Sequence, residues 1–320
     1  MSNQIVKINR GILVTLFFGI ILFILVGIDI PENRLSIALF NFGHLPLFGL
    51  LALVILITLN KGSWPVENIR YYYIAGAVSV FIGFLIELIQ IHIPGRFFEL
   101  QDIILNFVGT ATFLILSYTP GRYRKWTRII GKSFSLIAIL IAMSPVFIAI
   151  ADTWQMQKNF PLINSFETSL EISRWEAKCS TITRSIQNAS DKAHSLKILL
   201  DPATYPGAST KYFVCDWRGF TELCFDVFLT GESPIPITVR IDDKDHKQSF
   251  DDRYNGKCIL NPGMNHIAID LEDIRTAPTT RTMDMENIVL ICLFSYELKE
   301  QRTLYIDNMR LIGEIGGSGT

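Results

Sequence analysis

Glu87 and Gln90 stand three residues apart at the end of one apolar stretch, and Asp102 and Asn106 stand four apart at the start of the next. On a helix, either spacing puts both members of a pair on one face. His44 lies inside a third apolar stretch. Arg96 lies in the short segment 92–101, where Pro94 and Gly95 form a turn. These residue types fit one kind of chemistry. An imidazole and carboxylates accept or release protons, a guanidinium forks onto a phosphate or other anion, and amides orient what is bound. A charged carboxylate at the centre of a membrane helix costs about 2.5–3.5 kcal/mol on insertion scales, and less near an interface. Taken singly, the groups satisfy one another, Glu87 pairing with Arg96 and Asp102 capping its helix. Taken together, polar groups converging at one membrane depth are more often a site than separate repairs.

The elements that carry these residues are membrane helices. The chain has 320 residues, of which 49% are hydrophobic and 18% charged, with a formal net charge of -1. A near-neutral chain offers no electrostatic footprint for nucleic acid. The apolar residues crowd into the first half. About 20 mostly apolar residues span a bilayer core, and five stretches qualify: 11–30, 36–59, 71–92, 102–119 and 133–151. The first exceeds a signal-peptide core and has no small-x-small cleavage site after it. Lys7, Arg10, Lys61, Arg70, Arg122, Arg124, Lys125, Arg128 and Lys132 fall on one side of these spans, and Arg34 and Arg96 on the other. The positive-inside rule therefore predicts a multi-pass protein of the cytoplasmic (inner) membrane, its N-terminus cytoplasmic and its C-terminal half extracytoplasmic. The domain boundary falls at 151/152.

The stretch GFLIELIQIHIPGRFFELQDIILNFVGT, residues 83–110, resembles the signature of VanZ-like membrane proteins. That pattern has a Glu and a Gln three apart, a Pro-Gly-Arg turn, then Asp and Asn four apart, with a His near the start of the preceding helix. The matching positions are Glu87, Gln90, Arg96, Asp102, Asn106 and His44, within a resemblance covering about 11–119. Many such proteins carry Asp-Lys four and three residues before the His, where this chain has Phe40 and Asn41. The resemblance implies a cell-envelope membrane protein of a family linked to glycopeptide resistance, without naming a reaction. These six residues are the candidate catalytic or head-group-binding set. The expected partner is a membrane lipid or lipid-linked saccharide, and whether a bond is broken is left open.

Residues 152–313 read as short strands. Ile235, Ile237, Val239 and Ile241 alternate with polar or exposed types, and residues 266–271 do likewise. Residues 288–294 form a continuous apolar run, which predicts a strand buried on both faces. Turns at 205–207, 230–232 and 261–263 separate the runs. The expected fold is an extracytoplasmic all-β jelly roll or sandwich, attached to an all-α membrane bundle. The ends of this half, LINSFET at 162–168 and LYIDNMRL at 304–311, resemble carbohydrate-binding modules with the galactose-binding-like jelly-roll fold. That resemblance implies a glycan or polysaccharide partner and a structural calcium ion, for which Glu167 and Asp307 are the candidate ligands. Oxygen ligands suit calcium, and ordinary solvated carboxylates are the alternative. Trp217, Arg240, Asp242, Asp243 and Arg253 are the candidate glycan-binding residues, with the core the favoured place for Trp217.

The five cysteines (Cys179, Cys215, Cys224, Cys258 and Cys292) show no metal-binding spacing. Buried free thiols are expected, with one disulfide as the alternative. No serine nucleophile elbow or HExxH motif appears. Residues 314–320 read as a flexible tail.

Overall fold

A computed structural model of the protein describes residues 6–25, 33–92, 98–118 and 125–313. The chain divides into two units, Met1–Ala151 and Asp152–Thr320. The first holds helices α1 (Arg10–Leu25), α2 (Arg34–Leu59), α3 (Ile69–Gln90), α4 (Leu100–Ser117) and α5 (Lys125–Ala142). Helix α6 (Ser144–Asn159) follows α5 after Met143. A two-residue ribbon pairs β1 (Val6–Lys7) with β2 (Ser63–Trp64).

Local chemistry explains the helix ends. Asn33 accepts the Ser36 amide at 2.8 Å, and Asn68 accepts that of Arg70 at 3.1 Å, each satisfying an orphan donor of a first turn. Asp102 is not the cap expected of it. Glu99 holds that position without a side-chain bond, and Asp102 sits inside the first turn of α4. Between α5 and α6, Pro145 has no amide to offer the Ile141 carbonyl, and the Ser144 hydroxyl donates to it instead at 2.7 Å.

Among the described residues, four helical runs are long and apolar enough to cross a membrane: Arg34–Leu59, Ile69–Gln90, Leu100–Ser117 and Trp126–Asn159. The first predicted span appears as a shorter apolar helix, and residues 26–32 lie outside the described ones. The fifth predicted span, 133–151, falls within the longest run. Large apolar side chains such as Phe18, Phe81, Phe84, Phe107, Phe134 and Ile141 face outward, as a lipid-facing surface requires.

Helices in lipid gain no hydrophobic force from meeting one another, so small residues and internal hydrogen bonds must hold them. Three glycines do this work between α2, α3 and α4. A Cβ on Gly109 would lie 2.0 Å from the Leu45 carbonyl oxygen, so α4 rests its backbone on that of α2. A Cβ on Gly49 would enter the Phe113 ring, and one on Gly83 would meet Phe48 at 3.0 Å and the Asn106 amide at 3.2 Å. Nearby, the Ser79 and Thr110 hydroxyls join α3 to α4 at 2.9 Å, both buried.

The second unit is a β-sandwich. One sheet orders its strands β10 (Tyr254–Leu260), β9 (Ile235–Asp243), β12 (Ile288–Phe294), β7 (Gly207–Thr210) and β4 (Trp175–Lys178). The other orders β11 (Gly263–Asp270), β8 (Glu222–Leu229), β13 (Arg302–Ile312), β6 (Ser195–Leu200) and β5 (Ser180–Ser185), with β3 (Leu162–Asn164) also on β13. The pairings are antiparallel. Alternating side chains from both sheets fill one core, including Ile237, Val239, Ile241, Phe225, Val227, Leu196, Ile198 and Ile306. The β8–β9 and β10–β11 turns place Gly231 and Gly263 at φ 94°, where a glycine is favoured.

One strand departs from expectation. The apolar run of β12 is not buried on both faces: Ile288, Ile291 and Leu293 enter the core, whereas Leu290, Cys292 and Phe294 are only half-buried. All five cysteines are free thiols, but they are not buried as expected: Cys179 is exposed and the other four are half-buried.

The Gly109–Leu45 contact makes a stability prediction. Gly109→Ala should destabilise the bundle by about 1–3 kcal/mol, the usual range for overpacking. Gly76→Ala, where a Cβ would meet only Leu114 at 3.4 Å, should change little. Thermal unfolding of the detergent-purified variants checks this, and equal midpoints for the two would refute the close-approach argument.

Candidate functional site

In the helical unit, the N-terminal half of α2, the end of α3 and the start of α4 bring four of the expected residues together. His44 comes from α2, Glu87 from α3, and Asp102 and Asn106 from successive turns of α4. The His44 Nδ1–H donates to Asn106 Oδ1 at 3.0 Å, with the amide oxygen placed toward the ring. The other ring nitrogen, Nε2, faces Asp102 Oδ2 at 3.5 Å. Ligand atoms of His44, Glu87 and Asp102 all lie within 4.8 Å of one another. Glu87 is 0% exposed and Asn106 2%. Phe48 stacks parallel to the His44 ring, with centroids 6.4 Å apart, and Phe40 meets it edge-on. Phe40 thus supplies an apolar wall one turn before His44. Gln90 is buried one turn beyond Glu87. Arg96 lies outside the described residues.

This arrangement can bind and can move protons. The imidazole is oriented by an amide on one side and faces a carboxylate on the other, and a second carboxylate is within reach. Hydrogen bonds and charges act strongly where groups are buried, as His44, Glu87 and Asn106 are.

In the β-sandwich, the structure sorts the expected glycan residues. Trp217 is 1% exposed; its ring packs against Phe213 and its Nε1–H donates to the Val214 carbonyl at 3.1 Å. It belongs to the core and offers no stacking face. Asp243 is also buried, because its carboxylate receives both Arg281 Nη atoms at 2.5 and 2.7 Å and the Asp284 amide. Arg281 further donates to Asp252 at 2.5 Å, so this network is a closed brace at the end of β9.

Arg240 and Arg253 are placed differently, beside the outer face of the five-stranded sheet. Alternation along β9 buries Val239 and Ile241 and turns Arg240 outward, in register with Asn255 on β10 and Cys292 on β12. Asp242 holds the Arg240 guanidinium at 2.5–3.1 Å. Arg253 donates to Asn255 at 3.0 Å and lies over the Phe250 ring. Burial, then the charge of Arg240, lower the Arg253 pKa, while Asp242, Cys292 and Tyr205 act against them. Phe294, two residues beyond Cys292 on β12, lies on the same outer face as Arg240, and Tyr205 packs there. Tyr205 packs on Phe294 and on Tyr296, and the two tyrosines are 49% and 55% exposed.

Sequence reasoning missed this aromatic shelf. Tyr205 read as a turn residue and Phe294 as core. The missed signal was the surplus of apolar residues in β12, since a half-buried strand with apolar residues on both faces exposes one of them.

Glu167 and Asp307, the expected calcium ligands, brace a single loop. Glu167 accepts the Ala193 and His194 amides at 2.9 Å and the His194 ring at 3.0 Å. Asp307 accepts the Ser190 and Asp191 amides at 2.8 and 2.9 Å. Its cross-strand neighbour Asp226 takes the Ser190 hydroxyl and His266. Calcium at Glu167 and Asp307 is a proposal in which the ion takes over oxygens that here accept N–H.

Burial alone would raise the Glu167 and Asp226 pKa values. Hydrogen bonds outweigh it, from His194 and Ala193 in one case and Ser190, His266 and Asn308 in the other, and both groups fall below the ordinary range. Burial wins at Asp307, whose pKa is raised despite three amide donors.

The sign of the pH dependence follows. A lowered carboxylate contributes stability above its unfolded pKa, and this is lost as pH falls through the folded value. Asp307 acts in the opposite sense. Glu167→Gln should therefore lower the melting temperature of the full-length protein at pH 7, and the deficit should shrink below about pH 4. An equal deficit at pH 7 and at acid pH would sink the assignment. Repeating the wild-type melt with EGTA tests calcium, for which a fall on chelation is expected.

Residues 3–120 match the VanZ/LLP1 family model. No curated protein matches the chain in sequence. The second unit is similar to solved carbohydrate-binding modules. One is a family 11 module from Clostridium thermocellum in complex with a β-1,3-1,4-mixed-linked tetrasaccharide, at 19% identity over 48% of this chain and 94% of that one, with a TM-score of 0.39. Another is a xylan-binding domain of family 22, at 16% identity over 47% and 92%, with a TM-score of 0.33. An exo-β-agarase aligns at 16% identity over 48% of this chain and 25% of its own, with a TM-score of 0.39. The N-terminal unit is thus a VanZ-like membrane domain, and the C-terminal unit is an antiparallel sandwich similar to these modules.

Proposed function

We propose that the helical unit binds the polar head group of an envelope lipid or lipid-linked saccharide, entering from the outer leaflet of the cytoplasmic membrane. One observation carries this reading: His44, Glu87, Asp102 and Asn106 converge from three helices inside a mostly apolar bundle. Buried ionisable groups in a membrane segment are costly, and they mark sites more often than repairs. The excess of Lys and Arg in the loops on one side of the spans supports an outward-facing site and an extracytoplasmic sandwich. If the head group is also processed, the His44 imidazole, oriented by Asn106, is positioned to accept a proton.

The sandwich takes the role of glycan recognition in this reading. Tyr205, Tyr296 and Phe294 offer apolar ring faces to a pyranose, and Arg240, Arg253 and Asn255 offer planar donors beside them.

A second reading makes the polar cluster structural and the whole protein an anchored glycan-binding module. The Ser79–Thr110 hydroxyl bond favours it, because that buried pair already acts as a lock between helices.

Mass spectrometry of lipids co-purifying with the intact protein separates the two. A polyprenyl-phosphate, lipid-linked saccharide or glycolipid should be enriched in wild type and lost in folded His44→Ala and Asp102→Ala proteins. Bulk phospholipid alone, equal in all three, would leave the anchored-module reading.

For the sandwich, Tyr296→Ala and Arg253→Ala should each weaken binding to a retained polysaccharide in affinity electrophoresis by roughly tenfold, or about 1.4 kcal/mol. Trp217→Phe should leave the affinity of the folded protein unchanged. Retention that ignores both shelf substitutions would remove this face from consideration.

A further inference from the structure

We propose that His44, Glu87 and Asp102 hold a first-row divalent cation, of the zinc or manganese kind, in the helical unit. Among the described residues, the three offer one imidazole nitrogen and two carboxylate oxygens within 4.8 Å of one another. Each comes from a different helix, and His44 and Glu87 are buried.

A second observation points the same way. A metal-binding histidine characteristically donates its other ring N–H to a carbonyl or carboxylate, which fixes the tautomer and aims the free lone pair at the ion. His44 has this arrangement. With Nδ1–H given to Asn106 Oδ1 at 3.0 Å, the Nε2 side faces Asp102 Oδ2 at 3.5 Å. Nε2 is then the ring atom presented toward Asp102 and Glu87, where a cation would be held by all three side chains. The 3.5 Å separation also suits a shared ion. Two ligands at zinc-like bond lengths in a tetrahedral shell stand about 3.3 Å apart, whereas a direct charged hydrogen bond closes to about 2.8 Å.

The ligand set decides the cation class. Carboxylates alone would suit magnesium or calcium, while an imidazole nitrogen shifts preference toward first-row transition ions. Three protein ligands leave positions open, as in catalytic rather than structural sites. The ion's presence is independent of the proposed function, but its use rests on that reading: open positions would receive an oxygen of the head group, such as a phosphate oxygen.

The test uses the full-length protein in detergent, purified without chelator and then stripped and reloaded with zinc or manganese chloride. Elemental analysis should find about one ion per chain in wild type. Folded Glu87→Gln and Asp102→Asn proteins, which keep side-chain shape, should bind roughly 100-fold more weakly or worse. Wild type that takes up no stoichiometric ion overturns the proposal, as does unchanged uptake in both variants. Should the variants fail to fold, manganese-loaded wild type gives an independent reading, since pulsed electron paramagnetic resonance should show nitrogen coupling from His44. Its absence counts against the site. A protein that keeps its head group but binds no ion ends this inference and spares the proposed function. A bound ion with only bulk phospholipid does the reverse.

Discussion

At Gly109 the backbone of α4 rests against the carbonyl oxygen of Leu45, closer than any side chain would allow. The site depends on this contact. His44 precedes Leu45 on α2, and Asn106 lies one turn before Gly109 on α4, so the approach of two backbones also sets the His44–Asn106 hydrogen bond. Asp102 follows one further turn toward the helix start and reaches the other side of the ring. Gly83 performs the same service for α3, bringing Glu87 to the cluster by leaving room for Phe48 and the Asn106 amide. In lipid, close packing and internal hydrogen bonds must supply what hydrophobic burial supplies in water. The absence of a side chain at two positions is therefore a requirement for the chemistry nearby.

The sandwich solves a different problem. Some of its apolar residues stay outside the core, as β12 shows. Ile291 and Leu293 fill the interior, while Cys292 and Phe294 lie on the opposite face beneath Arg240, Tyr205 and Tyr296. Burial pushes the Cys292 thiol up to about 11, so it stays a protonated, small apolar group under this face. The surface above it combines ring faces with guanidiniums, as sugar recognition requires.

Charged residues divide by geometry. Arg281 bridges Asp243 at the end of β9 and Asp252, and Asp152 with Arg174 forms a fully buried pair at 2.8 Å. Pairs of this kind specify where segments meet more than they add stability. Arg253, by contrast, shares its surroundings with another guanidinium and an exposed tyrosine. Residues of similar composition thus serve either as internal braces or as a presented surface, depending on which neighbours the register gives them.

The amino-acid sequence by itself determined the class of each unit. Hydrophobic length decides what spans a bilayer, and period-two alternation decides a half-buried strand, so the helical unit and the sandwich were both legible. Four of the membrane-unit residues were legible as a cluster for the same reason, because spacings of three and four share a helix face and loop order puts helix ends together. The tertiary structure decided the rest. Whether Trp217 packs in the core or Tyr205 faces outward depends on strands distant in sequence, since a turn residue gains its surface only from the strand it lands beside. Asp243 could not be separated from Arg240, because its partner Arg281 lies 38 residues away. Glu167 and Asp307 have ligand-like residue types, but only the position of the loop at 190–194 shows that their oxygens receive amide hydrogens. Local periodicity is written in the chain, whereas the identity of a side chain's long-range partner is a property of the fold.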